Sequence, residues 1–178
     1  MINHFYSNAL THFNLGETFY KLREYQKSKE HYGRAINLLE QNRSFPFWVK
    51  LFKVGLARAK IMNNEKDFDL ELLYGYAHDN KVNLYDGWIS RYIGEILLQM
   101  DDNLLSDAEY WLNRALNADR KNGVMFHLGN DYTSHAALSK RKGDLPKAKE
   151  SLNKAIEIFK ECGADGWVEK YEKELTGL

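Results

Sequence analysis

From Asn14 to Glu40 the chain reads NLGETFYKLREYQKSKEHYGRAINLLE, with large apolar residues three and four positions apart. Leu15, Phe19 and Leu22 form one stripe, and Tyr25, Tyr32, Ile36 and Leu39 a second, with the small residues Gly16, Ser28 and Ala35 between them. This spacing predicts two amphipathic helices that break near Arg23. Steps of 40 residues repeat the second helix. Ser28, Phe68, Ala108 and Ala148 align, as do Tyr32, Leu72, Leu112 and Leu152. So do Ala35, Gly75, Ala115 and Ala155, and Ile36, Tyr76, Leu116 and Ile156. A fixed period of this length, with small and large positions in constant relation, marks a helical repeat array.

The pattern predicts an all-α chain of nine helices forming one domain over residues 1–178. Four hairpins span about 6–42, 46–80, 83–121 and 124–161, and a capping helix covers about 165–176. Pro46 suits the first turn of the third helix. The helix after Asn63-Asn64 is expected to open at Lys66 or Asp67 and run to His78. Ser106-Asp107-Ala108-Glu109 reads as a capping box. Gly123, Gly143 and Gly163 are read as helix ends, with Asp144 and Asp165 as caps of the helices that follow. Trp167, Tyr171 and Leu175 share one face of a last helix that is otherwise charged, which suits the closed end of an array. One hairpin alone is marginal, because backbone ordering costs about 1–2 kcal/mol per residue and each large buried side chain returns roughly 1.5–3 kcal/mol.

Composition narrows the function more by exclusion than by indication. Lys plus Arg equal Asp plus Glu at 25 each, so no bulk field favours nucleic acid or anionic lipid. No apolar run approaches the roughly 20 residues that span a bilayer, and the N-terminus lacks the basic start and apolar core of a signal peptide. The single cysteine, Cys162, excludes an internal disulfide, fits a cytoplasmic location, and is expected to be a buried packing residue.

The first repeat resembles a tetratricopeptide repeat: Leu15-Gly16, Phe19, Tyr25, Tyr32 and Ala35 hold that family's spacing, with Ser28 and Glu40 where alanine and proline are usual. The fourth resembles it through Tyr132, Ala136, Gly143, Leu145, Ala148, Leu152 and Ala155. The resemblance implies a right-handed α-solenoid of four hairpins plus a capping helix. The period of 40 and the ending GDLPKAKESLNKAIEIFKECGADGWVEKYEKEL are similar to a narrower group. This is the C-terminal tetratricopeptide region of large bacterial ATPase-containing LuxR-type regulators and related multidomain kinases and cyclases. The similarity implies a fragment or stand-alone relative of a signalling module.

No Walker phosphate loop, dinucleotide fingerprint, His-Glu-x-x-His, paired CxxC or Gly-x-Ser-x-Gly is present. His127, Asp131 and His135 stand at i, i+4 and i+8, within about two turns of one stripe, but their reading is as polar inter-repeat residues, with no metal and no cofactor. By position, the resemblance implies a concave groove lined by the first helix of each repeat. Phe13, Glu17, Tyr20 and Lys21 come from the first repeat, and Phe52, Lys53 and Lys60 from the second. Trp88, Arg91, Glu95 and Gln99 come from the third, and Asn130, Thr133, Ala137 and Arg141 from the fourth. Aromatic anchors with both charge signs suit a protein segment or peptide. Phe13 and Glu17 replace the Lys and Asn of the family's carboxylate clamp, which argues against that variant. The leading expectation is a non-enzymatic protein or peptide interaction module in bacterial signalling or transcription regulation, touching neither nucleic acid nor membrane. The alternatives are a small-molecule-sensing regulatory domain and a self-associating scaffold that forms homo-oligomers.

Overall fold

A computed structural model describes residues 2–178. Among them are nine α-helices, two short 3-10 turns and no strand. The helices are α1 (Ile2–Lys21), α2 (Tyr25–Gln41), α3 (Pro46–Met62), α4 (Leu70–His78), α5 (Asp86–Met100), α6 (Leu105–Asn122), α7 (Met125–Arg141), α8 (Leu145–Glu161) and α9 (Asp165–Thr176). Two compact units result, Met1–Lys81 with α1–α4 and Val82–Leu178 with α5–α9.

In the N-terminal unit α1 packs on α2 and α2 on α3. Ala9, Phe13, Tyr32, Ala35, Leu39 and Phe52 form its core. The α1–α2 turn places Arg23 at φ 62°, with the Glu24 N–H donating to Phe19 O at 2.9 Å. In the C-terminal unit each helix from α5 to α8 packs on the next, and α5 also meets α7. Its α7–α8 turn has the same bonds, with the Asp144 N–H donating to Ser139 O at 2.9 Å, but Gly143 holds the left-handed position at φ 77°. Glycine adopts that geometry without the Cβ clash that arginine must absorb. Among the described residues no helix is long and apolar enough to cross a membrane.

The 40-residue columns hold wherever the helices start in step. Ser28, Ala108 and Ala148 are all fully buried, as are Tyr32, Leu112 and Leu152. The second repeat departs. Its α4 opens at Leu70 rather than at Lys66 or Asp67, with the Asp69 carboxylate accepting from the Leu72 N–H at 3.1 Å. The late start rotates the helix: Leu72 is 50% exposed, and Leu73 and Ala77 turn inward instead.

Two caps also differ from the sequence expectation. α6 begins at Leu105 after the 3-10 turn Asp102–Leu104, so Ser106 already lies inside the helix and caps nothing. α9 begins at Asp165, with Ala164 in the cap position and no side-chain bond. Asp144 does cap α8, accepting from the Lys147 N–H at 3.1 Å. Cys162 is exposed rather than packed, because it falls one residue past the end of α8.

Candidate interaction surface

Each unit contains an arginine that ties together the first helices of two successive hairpins. In the N-terminal unit it is Arg58 on α3, 1% exposed. Its Nη2 donates to Glu17 Oε1 of α1 at 2.7 Å and to the Tyr32 hydroxyl of α2 at 3.3 Å. The Tyr32 hydroxyl donates in turn to Glu17, and the guanidinium lies 3.8 Å from the Tyr20 ring centre. Beside this cluster Phe13 stacks on Phe52 with ring centres 4.3 Å apart.

In the C-terminal unit Arg91 of α5, 4% exposed, reaches α7. Its Nη1 donates to Asp131 Oδ1 at 3.2 Å and to the His127 carbonyl at 3.1 Å, and its Nε lies 3.6 Å from Glu95. Glu95 accepts from the Ser134 hydroxyl at 2.7 Å, and the rings of Trp88 and His127 approach to 4.2 Å. Farther along, Arg141 of α7 donates to Leu98 O at 3.0 Å and pairs with Asp102 at 2.7 Å. These contacts form a ladder along the whole α5–α7 seam.

A second carboxylate enters this cluster from α6. Asp119 is fully buried, and its carboxylate lies so close to Gly87 that an added Cβ there would stand 2.1 Å from Oδ1. Apart from Asp131, no hydrogen-bond donor reaches the Asp119 oxygens among the described residues. Burial raises both acids above the usual carboxylate range, Asp131 to about 8 and Asp119 to about 6, while Arg91 opposes the rise. Desolvation penalises the charged form, and like charges in one site penalise it again. Burial and mutual repulsion therefore favour a proton on the pair near neutral pH, and with Glu95 also against Arg91 the single guanidinium still faces an excess of carboxylates.

The residues expected to line a groove divide sharply. Trp88, Glu95 and Thr133 are half-buried along the α5–α7 seam, and Gln99, Ala137 and Arg141 are exposed. Glu17 and Tyr20 are half-buried on α1, and Lys21 is exposed at its end. Phe13 and Phe52 are core residues, 2% and 0% exposed, because they face each other across the α1–α3 contact. Asn130 is also buried, its amide turned back to Phe126 O at 2.8 Å. Lys53 and Lys60 point away from α1: Lys53 pairs with Glu40 of α2 and Lys60 with Asp67, and both line a hollow against α4. Lys53 follows Phe52 directly and is turned about 100° from it, and Lys60, seven residues on, shares the side of Lys53. In the His127–Asp131–His135 trio, Asp131 turns to Arg91 and Asp119, whereas burial lowers the pKa of His135 beside the Leu112 backbone. Among the described residues no three His, Cys, Asp or Glu side chains gather as metal ligands.

Comparison with known families places one of these hairpins. Residues 9–42 match the tetratricopeptide repeat. The match covers most of α1 and all of α2, so this hairpin is similar to a tetratricopeptide repeat in sequence as well as in form. Such repeats are generally protein–protein interaction modules. No curated protein and no solved structure matches the chain.

Arg58, Tyr32 and Asp119 were not among the candidate site residues. A signal for them exists in the repeat register. Forty-residue steps from Leu39 reach Asp79, Asp119 and Phe159, and steps from Arg58 reach Leu98 and Leu138. A charged residue at a position that is apolar in other repeats is a partial signal, since Asp79 in the same column is exposed.

Proposed function

We propose that the protein is a non-enzymatic module that recognises a segment of another protein, acting in bacterial signalling or transcription regulation. In the C-terminal unit the recognition surface is the open side of the α5–α7 seam. The observation that carries this reading is the ladder itself. α6 covers one side of it, bringing Asp119 under Gly87 and Asp131. The other side leaves Trp88, Glu95 and Thr133 half-exposed and Gln99, Ala137 and Arg141 exposed. An aromatic anchor flanked by an amide, a hydroxyl and both charge signs suits a peptide backbone with polar side chains. The Arg91 ladder fixes both helices, so little ordering cost falls on binding. The tetratricopeptide match of the first hairpin supports the interaction role, and the bacterial regulatory setting rests on the sequence resemblance of the chain's ending alone.

Photo-crosslinking from a p-benzoylphenylalanine at Ala137, in bacteria expressing the full chain, tests it against the same group at Asn117 on α6. The expected result is a discrete adduct from Ala137 that is absent from Asn117 and lost with Trp88→Ala. Identical adducts from the two positions, or none from Ala137, would end the proposal.

A further inference from the structure

The hairpin of α3 and α4 is the least closely packed of the four, because α4 is nine residues long and starts late. Between α2, α3 and α4 it leaves a cavity of about 410 Å³. Leu39, Pro46 and Val49 make its apolar wall, and Tyr76 closes it from α4. A smaller hollow of about 160 Å³ shares Lys53 and Tyr76 with it and continues between Leu56 and Leu72. Volumes of this size suit a small organic molecule, for which apolar walls and a few fixed polar groups are the usual lining.

The polar groups gather at one end. Lys53 is engaged by Glu40 at 2.7 Å, and Lys60 by Asp67 at 2.9 Å. Lys50 is only loosely held, 3.5 Å from an Asp79 that is 74% exposed. Arg43 lines the same cavity and makes no ion pair among the described residues. Here too lies the start of α3, a helix with no acidic residue in its first turn and no side-chain cap; Pro46 has no N–H and the Trp48 and Val49 N–H groups donate to Phe45 O, which leaves that of Phe47. A helix start carries partial positive charge, so two cations and a bare helix end face one apolar hollow. The starts of α2 and α7 are equally without acid or side-chain cap, so it is the cavity and the two cations that set this end apart.

We infer that this cavity binds a small anionic amphiphile. Its apolar body fills the space between Leu39, Val49 and Tyr76, and its carboxylate lies against Arg43, Lys50 and the first turn of α3. The inference is independent of the α5–α7 recognition surface, and the failure of either leaves the other standing.

Decanoate, kept below its micelle concentration, is the probe, and decanol is its uncharged match. Titration calorimetry on the full chain should show saturable decanoate binding at one site, at least tenfold tighter than decanol. The double charge reversal R43E/K50E should weaken decanoate at least tenfold and leave decanol unchanged. Val49→Trp, which fills the hollow, should abolish both, with amide NMR confirming that the variant remains folded. Lys121→Glu, on α6 of the other unit, should change nothing. Absence of saturable binding, equal affinity for acid and alcohol, or decanoate binding indifferent to R43E/K50E would each overturn the inference.

Discussion

Arg58 and Arg91 perform the same task in different surroundings. Both are buried, and both join the first helices of two successive hairpins. Arg58 faces one carboxylate, Glu17, whose side chain is 20% exposed, and a tyrosine hydroxyl completes the set. Arg91 faces Glu95, Asp131 and, through Asp131, Asp119, the last two with no exposure at all. The N-terminal cluster balances its charges one to one and keeps a route to water. The C-terminal cluster sets three carboxylates against one guanidinium, an excess that burial relieves in part by favouring the protonated forms of Asp119 and Asp131. One is an ordinary half-buried ion pair; the other ties stability to pH and to a single guanidinium.

The largest test of this difference is removal of the two cations. Arg91→Met leaves two acids buried without a counter-charge and should cost about 3–5 kcal/mol. Arg58→Met leaves Glu17 with the Tyr32 hydroxyl and access to water, and should cost about 1–3 kcal/mol. Urea unfolding, with hydrogen exchange assigning the loss to residues 1–81 or 82–178, reads both. Equal costs would erase the distinction.

Next comes the fit around Asp119. Gly87→Ala places a Cβ 2.1 Å from its Oδ1, so α5 must shift, at about 2 kcal/mol. The exchange protection of α5 and α6 should fall while that of α1 and α2 stays fixed. An unchanged melting temperature would show that Asp119 is not held where the structure places it.

The pH test is smaller in size and more specific. Asp131 and Asp119 bind a proton more tightly folded than unfolded, since burial raises both above their ordinary 3.8. Their contribution is complete below about pH 4, and it is lost as pH rises through their folded values, up to about 8 for Asp131. Arg91, Glu95, His127 and Asp86 are the charged or titratable neighbours that set the balance. Between pH 6 and 9 the C-terminal unit of the wild type should lose about 1–2 kcal/mol more than that of Asp119→Asn. Parallel pH profiles for the two proteins would remove the shared proton from the account.

The smallest effect runs the other way. Gly33 lies inside α2 with nothing within 4 Å of an added Cβ, so Gly33→Ala should stabilise the N-terminal unit by about 0.5–1 kcal/mol. A destabilised variant would mean that α2 faces something at that position.

Much of the fold was legible because periodicity and turn chemistry are local. The alternation around Tyr32, Leu112 and Leu152 located three second helices, and Gly123, Gly143 and Gly163 ended helices where expected, all with positive φ. Expectations failed where a boundary moved by a few residues. On a helix, moving the start alters which neighbours meet the side chains, and so Leu72 came out and Leu73 went in. The groove residues fared less evenly for a related reason. Position along a first helix does not say how far the side chain is rotated, so Phe13, Phe52 and Asn130 lie inside, and Lys53 and Lys60 face α4.

Sequence alone determined that this chain is all-α, that its helices pair into hairpins, and that a small residue recurs where the second helices of the first, third and fourth hairpins meet their partners. Those properties depend on spacing, which is written in the chain. Only tertiary structure decided that Asp119 and Asp131 share one site beneath Arg91, and that the late start of α4 leaves a cavity beside Arg43 and Lys50. Proton sharing and cavities depend on distances between atoms from different helices, which no single stretch of sequence specifies.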